Sequence, residues 1–284
     1  MNKKVKAMSR SDVTWSYSQL SGDCNASWYM SKVLEKNKDV SNAFAQGGTF
    51  MHDLMECVGK GSMSWDEAHA LFLDNWDNCF SYEYPAFAID LKSHYKKKID
   101  KNWFKPRKGL RGDTVSIEEH IEFSLPSGEK FQGYIDRVAL VKDKLTIRDY
   151  KISNPKSFDV NEKQKQLLIY AYGYHQIHGK YTDELVFEFF QGGEKIIPFQ
   201  EVWMEKTIQW AEDRIIDLKS RLVATQKLNA KGMFLPNYDK LLEDGKTGMM
   251  CNELCNHRFD CPFKKGDTLK IHKPLRNQDL KLSL

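Results

Sequence analysis

Two carboxylates and a lysine lie close together near the middle of the chain. Asp136 sits in Gly133-Tyr134-Ile135-Asp136-Arg137, and Asp149 and Lys151 flank Tyr150 in Asp149-Tyr150-Lys151. Carboxylate oxygens suit hard divalent cations, and an ammonium beside such an ion can orient or activate a water. Aspartate and lysine are also common at solvated strand ends, so the triplet gains meaning only from the elements that position it.

Those elements read as a hairpin. Two runs rich in Val, Ile, Leu and Tyr flank a Lys142-Asp143-Lys144 turn. A turn centred near Asp143 sets Asp136 across from the 149–151 end of the partner strand, within cross-strand reach. Asp149 and Lys151 are two apart and leave the same face.

Upstream, Gly47-Gly48 opens a segment in which His52 and Glu56 stack four apart on one helical face. Met51, Leu54, Met55 and Val58 form its apolar stripe, and Gly59 and Gly61 end it. Downstream, Asp159-x-x-Glu162 caps a helix over 160–178 that Gly179 closes. Gln166 and Tyr170 share a face of that helix; spacing alone fits an ordinary amphipathic stripe of Leu167, Tyr170, Ala171 and Tyr174 equally well.

The other elements are strands over 114–123, with Glu118 and Glu119 inside, over 184–191 and over 194–199, then a long helix over 201–228. Residues 64–104 read as helices, the first opened by the capping box Ser64-x-x-Glu67. A second, over 86–104, carries Lys92, Lys96, Lys97, Lys98 and Lys101, which is a solvated face or a track for a phosphate backbone.

The cysteines are the other chemically distinctive set. Cys251, Cys255 and Cys261 fall close together, hard to explain by packing, and three thiolates want a fourth ligand. Zinc with His257 as the fourth ligand and an iron–sulfur cluster both fit. Cys57 and Cys79 have no spacing partner and read as structural, and Cys24 taken alone is a small buried residue.

At 284 residues the chain can bury a core as one large domain or a core with appendages. A net charge of +4 permits nucleic-acid binding without arguing for it. No apolar run reaches membrane-spanning length and no secretory leader follows Met1, so a cytoplasmic protein with reduced thiols is expected, in the host cytoplasm if the gene is viral. No phosphate-binding loop marks a motor.

Taken in order, the Gly-x-x-x-His-x-x-x-Glu segment, the Gly-x-Ile-Asp strand, Asp149-Tyr150-Lys151, Gln166-x-x-x-Tyr170 and the terminal cysteines resemble the PD-(D/E)xK nuclease superfamily. Within it, the pattern is similar to the RecB-like branch that carries an iron–sulfur cluster, a branch that includes CRISPR-associated adaptation nucleases and phage exonucleases. The resemblance spans Ser16 to Pro262. It implies an α/β fold with a restriction-endonuclease-like core, a mixed sheet flanked by helices, over 41–228 with a helical insertion at 62–110. An iron–sulfur subdomain would form from 1–40 and 229–264, and 265–284 would be a basic flexible tail.

By the same resemblance, Mg²⁺ or Mn²⁺ would be held by His52, Asp136, Asp149 and the Tyr150 carbonyl, with Glu56 as a supporting carboxylate. Lys151 would act on the attacking water, while Gln166 and Tyr170 would contact DNA and position the site. A [4Fe–4S] cluster would be held by Cys24, Cys251, Cys255 and Cys261, although Asn25 stands where relatives have proline. The implied activity is metal-dependent DNA cleavage, most often by an exonuclease acting on ends or single strands. The alternatives are a silent DNA end-binding or recombination module, and a nuclease subunit working with a recombinase, helicase or integration partner.

Overall fold

The computed structural model describes residues 13–22, 24–34, 42–80, 89–228, 234, 242–243, 246–247, 250–258 and 261. The 265–284 tail, Pro262 and most of 229–249 lie outside the described residues. The chain separates into two units, one drawn from 1–42, 124–132 and 208–271, the other from 43–123, 133–207 and 272–284. Among the described residues no helix is long and apolar enough to cross a membrane.

The elements are α1 (Tyr17–Leu20), α2 (Asn25–Lys32), α3 (Ala43–Gly59), α4 (Trp65–Asn75), α5 (Ile89–Ile99), β1 (Asp113–Ser124), β2 (Lys130–Val141), β3 (Lys144–Lys151), α6 (Val160–His178), β4 (Glu184–Phe189), β5 (Glu194–Pro198) and α7 (Glu201–Leu228), with a short β6 (Leu242–Glu243) and β7 (Lys246–Thr247). Strands β1 to β5 form one mixed sheet in sequence order. The fold is α/β, a five-stranded sheet flanked by helices, as expected for a restriction-endonuclease-like core.

The central hairpin turns on Lys142 and Asp143, whose φ values of 52° and 63° are both positive. A two-residue loop of that hand matches the twist of the flanking strands. It fixes Val141 opposite Lys144 and Arg137 opposite Arg148, a register that brings Asp136 to the Asp149 end as the turn predicted. From β3 the chain crosses over through α6 and returns as β4, parallel to β3. These two central strands are covered on both faces, and on one of them Ile147, Leu185 and Phe187 are fully buried. The α6 start is capped by Asp159, whose side chain accepts from Glu162 N, and Gly179 ends it in the left-handed region at φ 67°.

On the other face of β3 and β4 lies a charged core. Arg148 and Glu188, 2% and 1% exposed, pair at 2.9 Å, and Arg107 reaches Glu188 at 2.5 Å. Burial alone would raise the Glu188 pKa, but Arg148 and Arg107 outweigh it and hold the carboxyl below its usual range. Breaking such a pair by removing one partner costs about 3–5 kcal/mol, because the other charge is left stranded.

Two details differ from the sequence reading. Gly47 and Gly48 lie inside α3, which starts at Ala43. Gly47 serves close packing: a Cβ there would lie 3.0 Å from the Trp76 ring and 3.1 Å from Ile152. The lysine-bearing helix is α-helical over Ile89–Ile99, and its last turn, Asp100–Phe104, widens to π geometry. That widening turns both Trp103 and Phe104 into the core formed with α3 and α4.

In the first unit, Trp15 and Trp28 stack with ring centroids 6.0 Å apart. Trp15 Nε1 donates to Glu129 at 3.2 Å. The N- and C-terminal segments meet there, through Asn42 donating to the Leu254 carbonyl at 3.2 Å and Ser31 Oγ lying 2.7 Å from His257 Nε2.

Candidate active site

Four elements of the second unit deliver the site. Helix α3 presents His52, β1 presents Glu118, β2 presents Asp136, and β3 presents Asp149, Lys151 and the Tyr150 main chain. At Asp136 the β2–β3 ladder gives way to a side-chain bond, with Tyr150 N donating to Asp136 Oδ2 at 2.6 Å. The Tyr150 carbonyl is thereby turned toward α3, where His52 Nε2 lies 3.2 Å from it. The other ring nitrogen, Nδ1, is 3.6 Å from Asp136 Oδ2 and 3.9 Å from Glu118 Oε1.

Among the described residues, His52, Glu118 and Asp136 form one group whose ligand atoms all lie within 4.8 Å of one another. The sequence reading had Glu118 only as a strand residue. Its φ of 48° breaks the regular β geometry, and it points to His52 while Glu119 pairs with His178 at 2.6 Å. The available signal was the tandem glutamate itself, since one of two adjacent acids in a strand should face away from solvent.

Electrostatics describe a site short of positive charge. Burial and the neighbouring Asp149 carboxylate raise the Asp136 pKa to about 7, against the lowering pull of His52 and Lys151. Burial disfavours the imidazolium of His52, yet Asp136, Glu118 and Asp149 outweigh it and lift its pKa to about 9. At neutral pH the protonated histidine therefore occupies the place of a cation. Imidazole, two carboxylates and a main-chain carbonyl suit a hard divalent ion such as Mg²⁺ or Mn²⁺. A cleft of about 370 Å³, lined by Thr49, His52, Asp53, Glu56 and Glu118 among others, gives access. Glu56 lines it but pairs with Lys60.

Asp149, 2% exposed, is engaged by Lys151, whose Nζ lies 2.5 Å from Oδ2 as an ion pair rather than a well-angled hydrogen bond. Lys151 also donates to Gln166 Oε1 at 3.3 Å, and Gln166 Nε2 donates to the Tyr170 hydroxyl at 3.3 Å. A polar chain thus runs from Asp149 through the lysine to α6. It is seated on Gly133, where a Cβ would come within 2.5 Å of the Tyr170 ring. Gly133→Ala should displace Tyr170 and loosen Lys151 through Gln166. The expected result is a fall in turnover of about 10-fold or more, on the scale by which a small misplacement harms catalysis. Unchanged turnover in a folded variant would show that the α6 chain does not position the lysine.

Of the lysine run, Lys92 and Lys96 are tied to Asp77, at 3.6 and 2.7 Å.

Cys24, Cys255 and Cys261 come together in the first unit. Burial pushes the Cys24 thiol up to about 11, with the charges of Cys255 and Cys261 adding to the shift. Main-chain N–H groups already address two sulfurs, Ser27 N to Cys24 and His257 N to Cys255, each at 3.4 Å. Such donors suit metal-bound thiolates. Cys251 lies on a short π-turn, Met250–Leu254, leading into Cys255.

A family model described as the PD-(D/E)XK nuclease superfamily matches residues 14–264. No curated protein matches the sequence. Among solved structures, one described as "Putative exonuclease" from Eubacterium rectale is 12% identical, with 73% of this chain and 81% of that chain covered and a TM-score of 0.44. SSO0001 is 15% identical, with 92% and 91% covered and a TM-score of 0.38. At those scores neither likeness bears on activity.

Proposed function

The chain belongs to the PD-(D/E)XK nuclease superfamily, and from that premise we propose that it is a metal-dependent deoxyribonuclease of the RecB-like kind, an exonuclease acting on DNA ends or single strands. The observation that carries this reading is the convergence of His52, Glu118 and Asp136 where β2 and β3 part, beside the Asp149–Lys151 pair on the same hairpin.

In this reading His52, Glu118, Asp136, Asp149 and the Tyr150 carbonyl hold Mg²⁺ or Mn²⁺. A divalent ion there supplies polarisation of the scissile phosphate and a lowered pKa for its water. Lys151 orients the attacking water and stabilises charge that develops on the phosphate oxygens. Asp149 and Gln166 hold the lysine from two sides, and Tyr170 fixes Gln166. Cys24, Cys251, Cys255 and Cys261 hold a [4Fe–4S] cluster with a structural or DNA-positioning role in a subdomain built from 1–40 and 229–264. The rival there is zinc with His257, whose Nε2 is already engaged with Ser31 Oγ.

The test is cleavage of end-labelled single- and double-stranded DNA by anaerobically purified protein. Mn²⁺ should produce a ladder of shortened products that EDTA abolishes, and absorbance near 400 nm should mark the cluster. Tight DNA binding with no cutting in any metal would replace the enzyme with a binding module. A colourless, zinc-loaded, active protein would overturn only the cluster.

A further inference from the structure

Two residues along β1 and β2 from the acidic pair, on the same face, sits an aromatic pair with no part in the site described so far. His120 and Tyr134 stack with centroids 4.6 Å apart and planes 26° from parallel. Asp136 and Tyr134 are two apart in β2 and leave one face of that strand, and the contacts of Glu118 with His52 and of His120 with Tyr134 set both β1 side chains over that face despite the backbone break at Glu118. Glu118 and Asp136 belong to one group of candidate ligand atoms and His120 stacks on Tyr134, so the stack adjoins the acidic group along β2. The separation along the strands is about 7 Å, roughly one nucleotide from the metal donors.

The tyrosine is unusual for its position. It is 56% exposed, and its hydroxyl makes no hydrogen bond to any described residue. One ring face is braced by the imidazole of His120, which in turn lies 3.8 Å from Glu122. A single exposed aromatic needs no explanation. One stacked on a neighbouring imidazole, two residues along β2 from the candidate metal donor Asp136, presents a flat apolar face beside the site.

We propose that Tyr134, braced by His120, stacks an unpaired nucleobase next to the scissile phosphate and so gives the site its preference for single-stranded DNA. This rests on the nuclease reading above. Bases inside a duplex are already stacked and cannot lie on a protein ring, whereas those of a single strand or a frayed end can, whatever their identity. Selection is then for strandedness and not for sequence.

The experiment measures binding of a fluorescein-labelled 12-nucleotide single strand and of a blunt duplex in Mn²⁺, in a Lys151→Ala background that prevents cutting. Tyr134→Ala should weaken single-strand binding on the order of 10-fold, the size of one base–aromatic stack, and leave duplex binding unchanged. Tyr134→Phe should retain the wild-type affinity. An abasic position beside the cut phosphate should reproduce the loss, and Tyr134→Ala should then add nothing. No loss, or an equal loss on duplex, overturns the stacking role while cleavage by the parent protein keeps the nuclease reading. A parent protein that neither binds nor cuts DNA removes both together.

Discussion

If Lys151 acts as proposed, Lys151→Ala should abolish phosphodiester cleavage, with a rate fall of about 10³-fold or more, while Mn²⁺ binding and DNA binding should persist. The expected size combines loss of a charge aimed at the reacting phosphate, worth roughly 10²–10³, with loss of help to the attacking water. The lysine contacts Asp149 and Gln166 and lies 5.8 Å over the Phe187 ring, and its removal leaves a buried carboxylate with one charge partner fewer. Some loss of thermal stability in the metal-free protein should accompany the loss of rate, and an added divalent ion should restore most of it. Single-turnover cleavage beside a DNA-binding titration checks the split. A variant that still cuts within a few-fold of wild type would take Lys151 out of the mechanism.

Asp136→Asn should do the reverse to stability. Asp136 is buried against Asp149, and its raised pKa means that ionising it costs the folded state. A carboxyl whose folded pKa lies above its unfolded value of 3.8 contributes stability that is full below about 4 and lost as pH rises through about 7. His52, raised from 6.5 to about 9, has the same sign: its contribution is full below 6.5 and lost as pH rises through about 9. These two groups together should therefore lower the stability of metal-free wild-type protein as pH rises from about 4 to about 9.

A divalent ion must displace those protons, so it binds more tightly as pH rises. At 100 times its dissociation constant it adds about 2.7 kcal/mol, or roughly 5–10 °C in Tm for a chain of this size. Asparagine removes the repulsion and one donor together. The variant should melt at or above the metal-free wild type, show almost no shift with Mn²⁺, and cut no DNA. Thermal melts with and without Mn²⁺ at pH 6 and pH 9 decide it; a full metal shift in Asp136→Asn would exclude Asp136 as a ligand.

The hairpin was legible because it is local. A two-residue turn fixes the register, and the register carries Asp136 to Asp149 without help from distant chain. The α6 cap was legible for the same reason, since Asp159 and Glu162 act within one turn. Glu118 was only half legible: the tandem with Glu119 implies that one acid turns inward, but which one depends on the backbone departure at Glu118, whose φ is 48°. Gly47 misled in the opposite sense: glycine signals a helix boundary by default, whereas here its missing side chain admits Trp76 and Ile152 to the flank of α3. The approach of Cys24 to Cys255 and Cys261 was beyond any spacing argument, because more than 220 positions separate them, and only the family resemblance suggested it.

Tyr150 gives both of its main-chain groups to the site, the amide to Asp136 and the carbonyl toward His52, while its ring is packed among Trp103, Phe190 and His52. A saturation scan of the chain would therefore score position 150 as a core residue, tolerant of large apolar replacements and damaged by small ones. The amide's bond to Asp136 would be tested at proline alone, which deletes it. A donor contributed by the backbone is invisible to side-chain mutagenesis, so if the Tyr150 carbonyl serves the proposed metal, a side-chain scan would leave it out of the site's inventory.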